Sequence, residues 1–214
     1  MNKLTEIANA HGTDKGTVAG EAHGFTEFYE PYWSKYKGKE NLTVLEIGIQ
    51  SGYSLETIEE FFEGKAQVYG IDINDNYHPT KPNIHAYVCD QSSEEKIAEF
   101  LGKIGNIKFD IVIDDGSHQF NHQMTSLYAF RNSVKPGGIY ILEDLHTSLT
   151  WGDHKDSPLN FLTFFETVSC LEASKQDVLR DCIDTVTVYN RKNSKGTCAK
   201  RSITSVITFN QPGQ

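Results

Sequence analysis

Short runs of β-branched and other apolar residues alternate with longer segments in which apolar and polar positions are mixed. The apolar residues within such a run are contiguous, as in Ile111, Val112 and Ile113, which is typical of parallel strands covered by helices on both faces. Strands are predicted at 43–48, 67–73, 84–88, 109–114 and 139–144. Helices are predicted at about 55–62, from about 92 with a capping box of Ser92 and Glu95, and at about 121–134. The pattern indicates an α/β fold.

The last third of the chain shows a different order of elements. A helix is predicted from about 159 to 180, followed by strands at 183–189 and 203–209. The connector RKNSKGTCAKR is rich in turn residues, which favours an antiparallel hairpin. We interpret its basic residues as protection of an edge strand against aggregation; they are Arg191, Lys192, Lys195, Lys200 and Arg201.

Residues 1 to about 40 precede the first strand and are predicted to form a helical arm or lid over a ligand site. Most of the aromatic residues in this arm are expected to pack it onto the body; they are Phe25, Phe28, Tyr29, Tyr32 and Trp33. The loop from Gly12 to Gly16 is harder to explain by packing, because its glycines permit close backbone approach and its polar residues could cover a ligand.

Composition narrows the functional classes. A length of 214 residues suits one domain, 1–214. The net charge of -9 disfavours a nucleic-acid partner, because phosphate contacts need clustered Lys and Arg. The four cysteines form no CxxC pair and are interpreted as reduced thiols. No apolar stretch approaches the length of a membrane span, so we expect a cytoplasmic protein without a membrane partner.

The stretch FDIVIDDGSH, from Phe109 to His118, contains the strongest candidate chemistry. Asp114 and Asp115 follow an apolar strand, and Glu143 and Asp144 follow the next one. In open α/β sheets, ligands bind beyond the carboxyl ends of the strands, so these acids are expected to converge. Like charges in a cleft repel one another unless a cation lies between them. The sequence therefore predicts a divalent cation, and oxygen ligands favour Mg²⁺ over Zn²⁺.

Two neighbouring features leave alternatives open. His118 and His122 are four residues apart, as in a helical metal pair, but two histidines alone lack a third ligand. The polar loop at 145–158 carries Trp151 beside Gly152, and it is either a platform for a sugar or another ring, or an ordinary connection.

The first strand is followed by a glycine turn and a helix, which present backbone N–H groups to a ligand. A dinucleotide fingerprint beginning at Gly48 would need glycines where the chain has Gln50 and Tyr53. Glu46 suits an ammonium group better than a diphosphate, which favours S-adenosylmethionine over NAD. Asp72, at the end of the second strand, can accept ribose hydroxyls from either compound.

Asp90 is the third acid to follow a strand at the same predicted edge. A solvated turn would explain it alone, but packing does not require acids after three successive strands. We therefore interpret Asp90 as a functional residue.

Several motifs together resemble the metal-dependent sugar O-methyltransferases that act on macrolide and other deoxysugars. The motifs are HGTDKG, FYEPYW, LEIGIQSGYS, GIDI, CDQSS, FDIVIDDGSH, KPGG and ILEDLHTS, and they cover roughly residues 10–165. The order of DDGSH and EDLHTS is more specific than LEIG or KPGG, which many methyltransferases contain. The resemblance implies a Rossmann-like class I methyltransferase fold, with a seven-stranded, mostly parallel sheet and a C-terminal antiparallel hairpin.

The resemblance also implies roles for individual residues. Asp115, Glu143 and Asp144 match the Mg²⁺ ligands, and His118 matches the proposed base. The positions that match residues around the methyl donor, S-adenosylmethionine, are Thr13, Glu46, Gly48, Ser54, Asp72, Asp90 and Gln91. We add Asp114 to this donor-binding set.

The resulting hypothesis is methylation of a sugar hydroxyl, as in a deoxyhexose such as rhamnose within a glycan or glycoside. A catechol-like acceptor is the nearest alternative, because catechol-type O-methyltransferases have a similar site with lysine at the position of His118. A nicotinamide-dependent oxidoreductase and a non-catalytic nucleotide-binding protein are the rivals from other classes. The glycine spacing argues against the first rival, and the carboxylate cluster argues against the second. Assembly into a homo-oligomer is left open.

Overall fold

The computed structural model describes residues 2–18, 22–145, 173–192 and 201–210. The chain divides into two compact units, Met1–Val88 and Cys89–Gln214. The assignment of residues 1–214 to one domain stays a prediction.

The described residues of the first unit form three α-helices and three parallel strands. In chain order they are α1 (Lys3–His11), α2 (Thr26–Trp33), β1 (Leu42–Ile47), α3 (Tyr53–Phe61), β2 (Ala66–Asp72) and β3 (Ile84–Val88). The strands lie in the order β3-β2-β1, with Val68 of β2 paired to Val44 on one side and to Ile84 on the other. Because the strands are parallel, Ile47 and Asp72 both lie at their carboxyl ends.

The predicted arm is helical, and its aromatic residues pack as a stack. Rings of Phe25 and Tyr29 lie 6.1 Å apart, and those of Tyr29 and Trp33 lie 5.5 Å apart. Trp33 in turn makes an edge-to-face contact with Phe61 of α3, with ring centroids 5.9 Å apart. All four side chains are buried, whereas Phe28 is half-buried. Burial of aromatic surface therefore anchors the arm within the first unit.

The second unit contains three described helices and four strands. In chain order they are α4 (Glu94–Lys103), β4 (Phe109–Asp114), α5 (Phe120–Phe130), β5 (Val134–Leu142), α6 (Ala173–Cys182), β6 (Ile183–Lys192) and β7 (Arg201–Phe209). The strands lie in the order β4-β5-β7-β6. β4 and β5 are parallel, and β7 is antiparallel to both of its neighbours.

The described strands number seven, mostly parallel with antiparallel strands at the C-terminal end, as predicted. The predicted fold class is confirmed. Trp151 and its loop, the first part of the helix predicted from 159, and the basic connector at 193–200 lie outside the described residues.

Two predicted boundaries near the site were wrong. β5 begins at Val134 instead of Ile139, because the Pro136-Gly137-Gly138 segment continues the strand as an irregularity: Val134 pairs with Phe109, and the register shifts before Ile139 pairs with Ile111. Proline is tolerated where strand pairing is irregular. Accordingly, α5 ends at Phe130 and not at 134.

The N-cap of α4 is Ser93 and not Ser92. The Ser93 side chain accepts a hydrogen bond from the Lys96 N–H at 3.3 Å. Ser92 belongs to the turn before the helix, because its N–H and its hydroxyl both donate hydrogen bonds to the Asp90 carboxylate. Among the described residues, no helix combines the length and apolar character needed to cross a membrane.

Candidate functional site

The candidate metal centre lies where β4 and β5 end. These strands are parallel neighbours, with Asp114 paired to Leu142, so the residues that follow them leave the same edge of the sheet. Asp115, His118 and Asp144 each place one potential ligand atom there, and the three atoms lie within 4.8 Å of one another. The predicted convergence of acids after the two strands thus includes Asp115 and Asp144.

Within this group, the His118 imidazole is close to both carboxylates. Its Nε2 atom is 3.6 Å from Asp144 Oδ2 and 4.0 Å from Asp115 Oδ1. The side chains are 31% exposed for His118, 21% for Asp115 and 12% for Asp144, so water is only partly excluded. The imidazole is therefore accessible enough to exchange a proton with a ligand.

The backbone of the group is held in an uncommon conformation. His118 has φ 57° and Asp144 has φ 52°, in the left-handed region that non-glycine residues seldom adopt. Such residues are retained where the surrounding structure requires them, often at ligand sites. The backbone thus aims both side chains at the cluster at some conformational cost.

Glu143, the other predicted metal ligand, is placed differently. It is buried, its N–H donates to the Asp114 carbonyl at 3.0 Å, and its own carbonyl accepts from Gln123 Nε2 at 2.9 Å. In the described part of the chain, its carboxylate does not belong to the group formed by Asp115, His118 and Asp144. Its role as a ligand stays a prediction.

The donor atoms of the group fit a divalent cation. Two carboxylates supply hard oxygen ligands, which suit Mg²⁺ and Mn²⁺, and the imidazole supplies a nitrogen that Mg²⁺ uses less readily. Asp115 and Asp144 are therefore the residues best suited to hold Mg²⁺. His118 can act either as their partner in proton transfer or as a third ligand.

Asp114 is directed into the protein. Its side chain is fully buried and accepts hydrogen bonds from Gln91 Nε2 at 3.0 Å, from Tyr140 OH at 3.1 Å and from the Ser126 hydroxyl. Burial raises the pKa of Asp114 to about 6, and these hydrogen bonds oppose the increase. In this structure the carboxylate faces protein groups, so we expect it to influence a donor through Gln91 and not by contact.

Gln91 links this buried carboxylate to the loop that carries the candidate centre. Its Oε1 atom accepts a hydrogen bond from the Ser117 N–H at 2.7 Å. Gly116 allows this approach, because a Cβ added there would lie 1.7 Å from Gln91 Oε1. Sequence reasoning assigned Gln91 to the donor and missed Ser126 of α5 and Tyr140 of β5, the buried hydroxyl groups that bind Asp114.

In the first unit, Glu46 is the most completely buried of the predicted donor-binding acids. Its side chain is 0% exposed, and it accepts a hydrogen bond from the Ser54 hydroxyl. Lys15 Nζ lies 3.4 Å from Glu46 Oε1, and the Lys15 side chain is only 6% exposed. Thr13, two residues before Lys15, is buried as well. Sequence reasoning selected Glu46, Ser54 and Thr13 but missed Lys15, although it lies in the loop singled out above.

Asp72 organises the turn after β1. Its Oδ2 atom accepts hydrogen bonds from the N–H groups of Ile49 at 3.0 Å and Gln50 at 2.9 Å. Gln50 has φ 48° and Gly48 has φ 82°, so the turn needs this support. The half-buried carboxylate lies at the end of β2, the position from which ribose hydroxyls are bound in related folds.

Asp90 and His122 have local partners. Asp90 Oδ1 accepts from the Ser92 N–H at 2.9 Å and from the Ser92 hydroxyl at 2.7 Å, and these bonds lower the pKa of Asp90. The Nδ1 atom of His122 lies 2.9 Å from the Ser117 hydroxyl. Asp90 thus stabilises a turn, and a contact between its carboxylate and the methyl donor stays a prediction.

No family model matches the chain. Curated proteins do match it. Demethylmacrocin O-methyltransferase of Streptomyces fradiae is 37% identical over 161 residues, which are 72% of this chain and 39% of that protein. The 8-demethyl-8-alpha-L-rhamnosyl tetracenomycin-C 2'-O-methyltransferase of Streptomyces olivaceus is 36% identical over 68% of this chain and 38% of its own length. The chain spans about two fifths of the length of the curated relatives it matches.

Solved structures similar to this chain include a methyltransferase as well. The MycE methyltransferase from the mycinamycin biosynthetic pathway, in complex with Mg and SAH, superposes with a TM-score of 0.77 at 26% identity, over 100% of this chain and 56% of that chain. Its complex with Mg, SAH and mycinamycin VI gives a TM-score of 0.75 at 27% identity, over 100% of this chain and 56% of that chain. By sequence and by fold, the chain belongs to the family of macrolide and deoxysugar O-methyltransferases, which have the class I methyltransferase fold.

Proposed function

We propose that this protein is a Mg²⁺-dependent O-methyltransferase that transfers the methyl group of S-adenosylmethionine to a sugar hydroxyl. The observation that carries the proposal is the group of Asp115, His118 and Asp144, in which a base lies among carboxylates suited to a cation. The relatives named above support the reaction class. A cytoplasmic location and assembly into a homo-oligomer stay predictions.

Asp115 and Asp144 are the residues that would hold the cation, and Glu143 stays a predicted ligand. A divalent cation at this position supplies a Lewis acid that polarises an acceptor hydroxyl. The protein contributes the placement of the two carboxylates: one follows β4, the other follows β5, and the sheet pairing keeps both strand ends together.

His118 has the role of general base. In the transfer, the S–CH₃ bond of the donor breaks and an O–CH₃ bond forms, while the proton of the acceptor hydroxyl passes to His118 Nε2. The products are S-adenosylhomocysteine and the methyl ether. The Nε2 atom of His118 lies 3.6 Å from Asp144 Oδ2 and 4.0 Å from Asp115 Oδ1, so the base is adjacent to both residues that would hold the cation.

The first unit contributes residues for the donor. Glu46 offers a buried carboxylate for the donor ammonium, and Ser54 holds that carboxylate in place. Asp72 orders the N–H groups after β1 and presents a half-buried carboxylate suited to ribose hydroxyls. Both acids suit the amino-acid and nucleoside parts of S-adenosylmethionine.

The proposed acceptor is a deoxyhexose such as rhamnose within a glycan or glycoside. The relatives are named for the O-methylation of demethylmacrocin, of an alpha-L-rhamnosyl tetracenomycin C and of mycinamicin VI, and the rhamnosyl group in the second name favours a sugar over a catechol. Two adjacent oxygens on the acceptor would suit a centre built on two carboxylates.

The test combines binding with turnover. Calorimetry should detect binding of S-adenosylhomocysteine, and NADH should not bind. Incubation with S-adenosylmethionine, Mg²⁺ and a panel of rhamnosides and macrolide glycosides should yield a product heavier by one methylene group in mass spectrometry, with a catechol as the comparison acceptor. Binding of NADH without S-adenosylhomocysteine would refute the proposal, and methylation of the catechol alone would refute the sugar assignment.

A further inference from the structure

Lys15 is a buried cation in the arm of the first unit. Its side chain is 6% exposed and its Nζ atom lies 3.4 Å from Glu46 Oε1, while the Glu46 side chain has no exposed surface. Removal of two charges from water is costly, and the attraction within a buried pair often fails to offset that cost. A pair of this kind therefore calls for an explanation other than stability.

The loop around Lys15 is held firmly by hydrogen bonds. The Lys15 carbonyl accepts from the Thr26 N–H at 3.1 Å, and the Gly24 N–H donates to the Gly16 carbonyl at 2.7 Å. Asn9 Oδ1 accepts from the Thr17 N–H at 2.7 Å. These bonds fix the backbone on both sides of Lys15, so the position of its Cα atom is well defined.

Close packing of the loop against α1 also restricts the backbone around Lys15. A Cβ added at Gly16 would lie 2.3 Å from Asn9 Oδ1, so the loop approaches α1 as closely as glycine permits. The loop is thus built to hold the residue before Gly16 in one place.

Attachment of the arm does not require Lys15. The aromatic stack of Phe25, Tyr29 and Trp33 is already buried against α3. The Thr5 and Thr26 hydroxyls lie 2.8 Å apart, and the Leu4 N–H donates to the Glu30 carboxylate at 2.7 Å. A buried apolar side chain at position 15 would fasten the arm at lower cost in desolvation.

The charges of the pair match those of an amino acid. Glu46 alone would attract the ammonium of a donor but repel its carboxylate. With Lys15 beside it, the site presents one negative and one positive group at 3.4 Å, opposite in sign to the ammonium and carboxylate that share one carbon atom. A neutral pair is thus complementary to a neutral zwitterion.

From this complementarity we propose that Lys15 binds the carboxylate of the amino-acid end of S-adenosylmethionine, and that the Lys15–Glu46 pair selects donors that carry both charged groups. The inference rests on the proposed use of S-adenosylmethionine. It assigns to the loop of the arm a direct part in donor recognition.

A comparison of two ligands across two proteins tests the inference. S-adenosylhomocysteine carries the ammonium and the carboxylate, whereas its decarboxylated analogue keeps only the ammonium. Calorimetry with wild-type protein should show tighter binding of S-adenosylhomocysteine by about 10- to 100-fold, as expected for a hydrogen bond between charged groups. In Lys15→Met this preference should disappear: binding of S-adenosylhomocysteine weakens, and binding of the decarboxylated analogue stays equal or becomes tighter.

Two further variants keep the test decisive. Lys15→Arg retains the positive charge and should keep most of the preference, which serves also if Lys15→Met does not fold. Lys65→Met removes a lysine that is 61% exposed and pairs with Glu63, and it should leave both affinities unchanged. If Lys15→Met lowers the affinity for both ligands equally, or changes neither affinity, Lys15 is a partner of Glu46 alone and the inference is wrong. Failure of the wild-type protein to bind S-adenosylhomocysteine would instead refute the proposed function.

Discussion

His118 Nε2 lies 3.6 Å from Asp144 Oδ2, and the backbone of both residues is in the left-handed region. The two residues follow different strands, β4 and β5, so this contact depends on the pairing of those strands. The contact brings a candidate proton acceptor, His118, next to a candidate metal ligand, Asp144. Substitution of each residue has a different expected effect.

Replacement of His118 by alanine should lower kcat by about 10² to 10⁴-fold, the usual range for loss of a general base. Affinity for S-adenosylhomocysteine should be unchanged, because no predicted donor-binding role falls on this side chain. His122→Ala is the matched control, since His122 contacts Ser117 and lies outside the group. A fall in Mn²⁺ affinity in His118→Ala, with kcat preserved at saturating metal, would identify His118 as a ligand and not as the base.

Asp115→Asn and Asp144→Asn should each weaken Mn²⁺ binding, measured by electron paramagnetic resonance. The loss should exceed the roughly 10- to 100-fold that removal of an outer partner of a metal ligand costs. Activity should vanish with EDTA and return with Mg²⁺. Asp75→Asn is the control, because this acid is 72% exposed and pairs with His78. Full activity after exhaustive chelation would contradict the metal requirement.

Glu143→Gln separates the predicted ligand from a structural residue. If Glu143 holds the cation, this variant should lose Mn²⁺ affinity as strongly as Asp144→Asn. Its position outside the group in the described structure makes the comparison informative. Unaltered Mn²⁺ affinity, together with a lower free energy of unfolding, would assign the carboxylate to packing alone.

Gly116→Ala should destabilise the protein by about 1–3 kcal/mol, because the new Cβ would lie 1.7 Å from Gln91 Oε1. Displacement of Gln91 would break its bonds to Asp114 and to the Ser117 N–H. Urea unfolding provides the measurement. Gly102→Ala in α4 is the control, since no atom lies within 4 Å of its added Cβ, and helix propensity should make it neutral or stabilising. Equal stability of both variants would contradict the role of Gln91.

Burial raises the pKa of the Cys89 thiol to about 11, and the neighbouring Asp90 charge adds to the increase. The unfolded chain releases this proton near the ordinary pKa of 9.0, so the contribution to stability is complete below that pH and is lost as the pH rises towards 11. The advantage of wild-type protein over Cys89→Ala in unfolding free energy should therefore fall by about 2–3 kcal/mol across this range. A difference that is constant with pH would show that burial does not perturb the thiol.

Local features of the sequence determined the elements and the edge at which chemistry would occur. Contiguous β-branched runs identified the parallel strands, and the acids after them, Asp72, Asp115 and Asp144, all lie at strand ends in the structure. Both signals depend on neighbouring residues alone, because burial of a strand and the exit of a charged residue from the core are local constraints. The antiparallel C-terminal strands were predictable from another local signal, the turn-rich connector between them.

The tertiary structure alone decided which polar side chains meet. Asp114 and Asp115 are adjacent in sequence, yet Ser126 and Tyr140 satisfy the first within the core while the second joins His118. Glu143 and Asp144 are also adjacent in sequence, and of the two only Asp144 belongs to the group formed in the described part of the chain. Successive side chains near a strand end point in opposite directions, and left-handed φ angles at His118 and Asp144 redirect them again. Likewise, Lys15 acquires its role from Glu46, a partner on a different element, because charge pairing in a core depends on packing that no local pattern encodes.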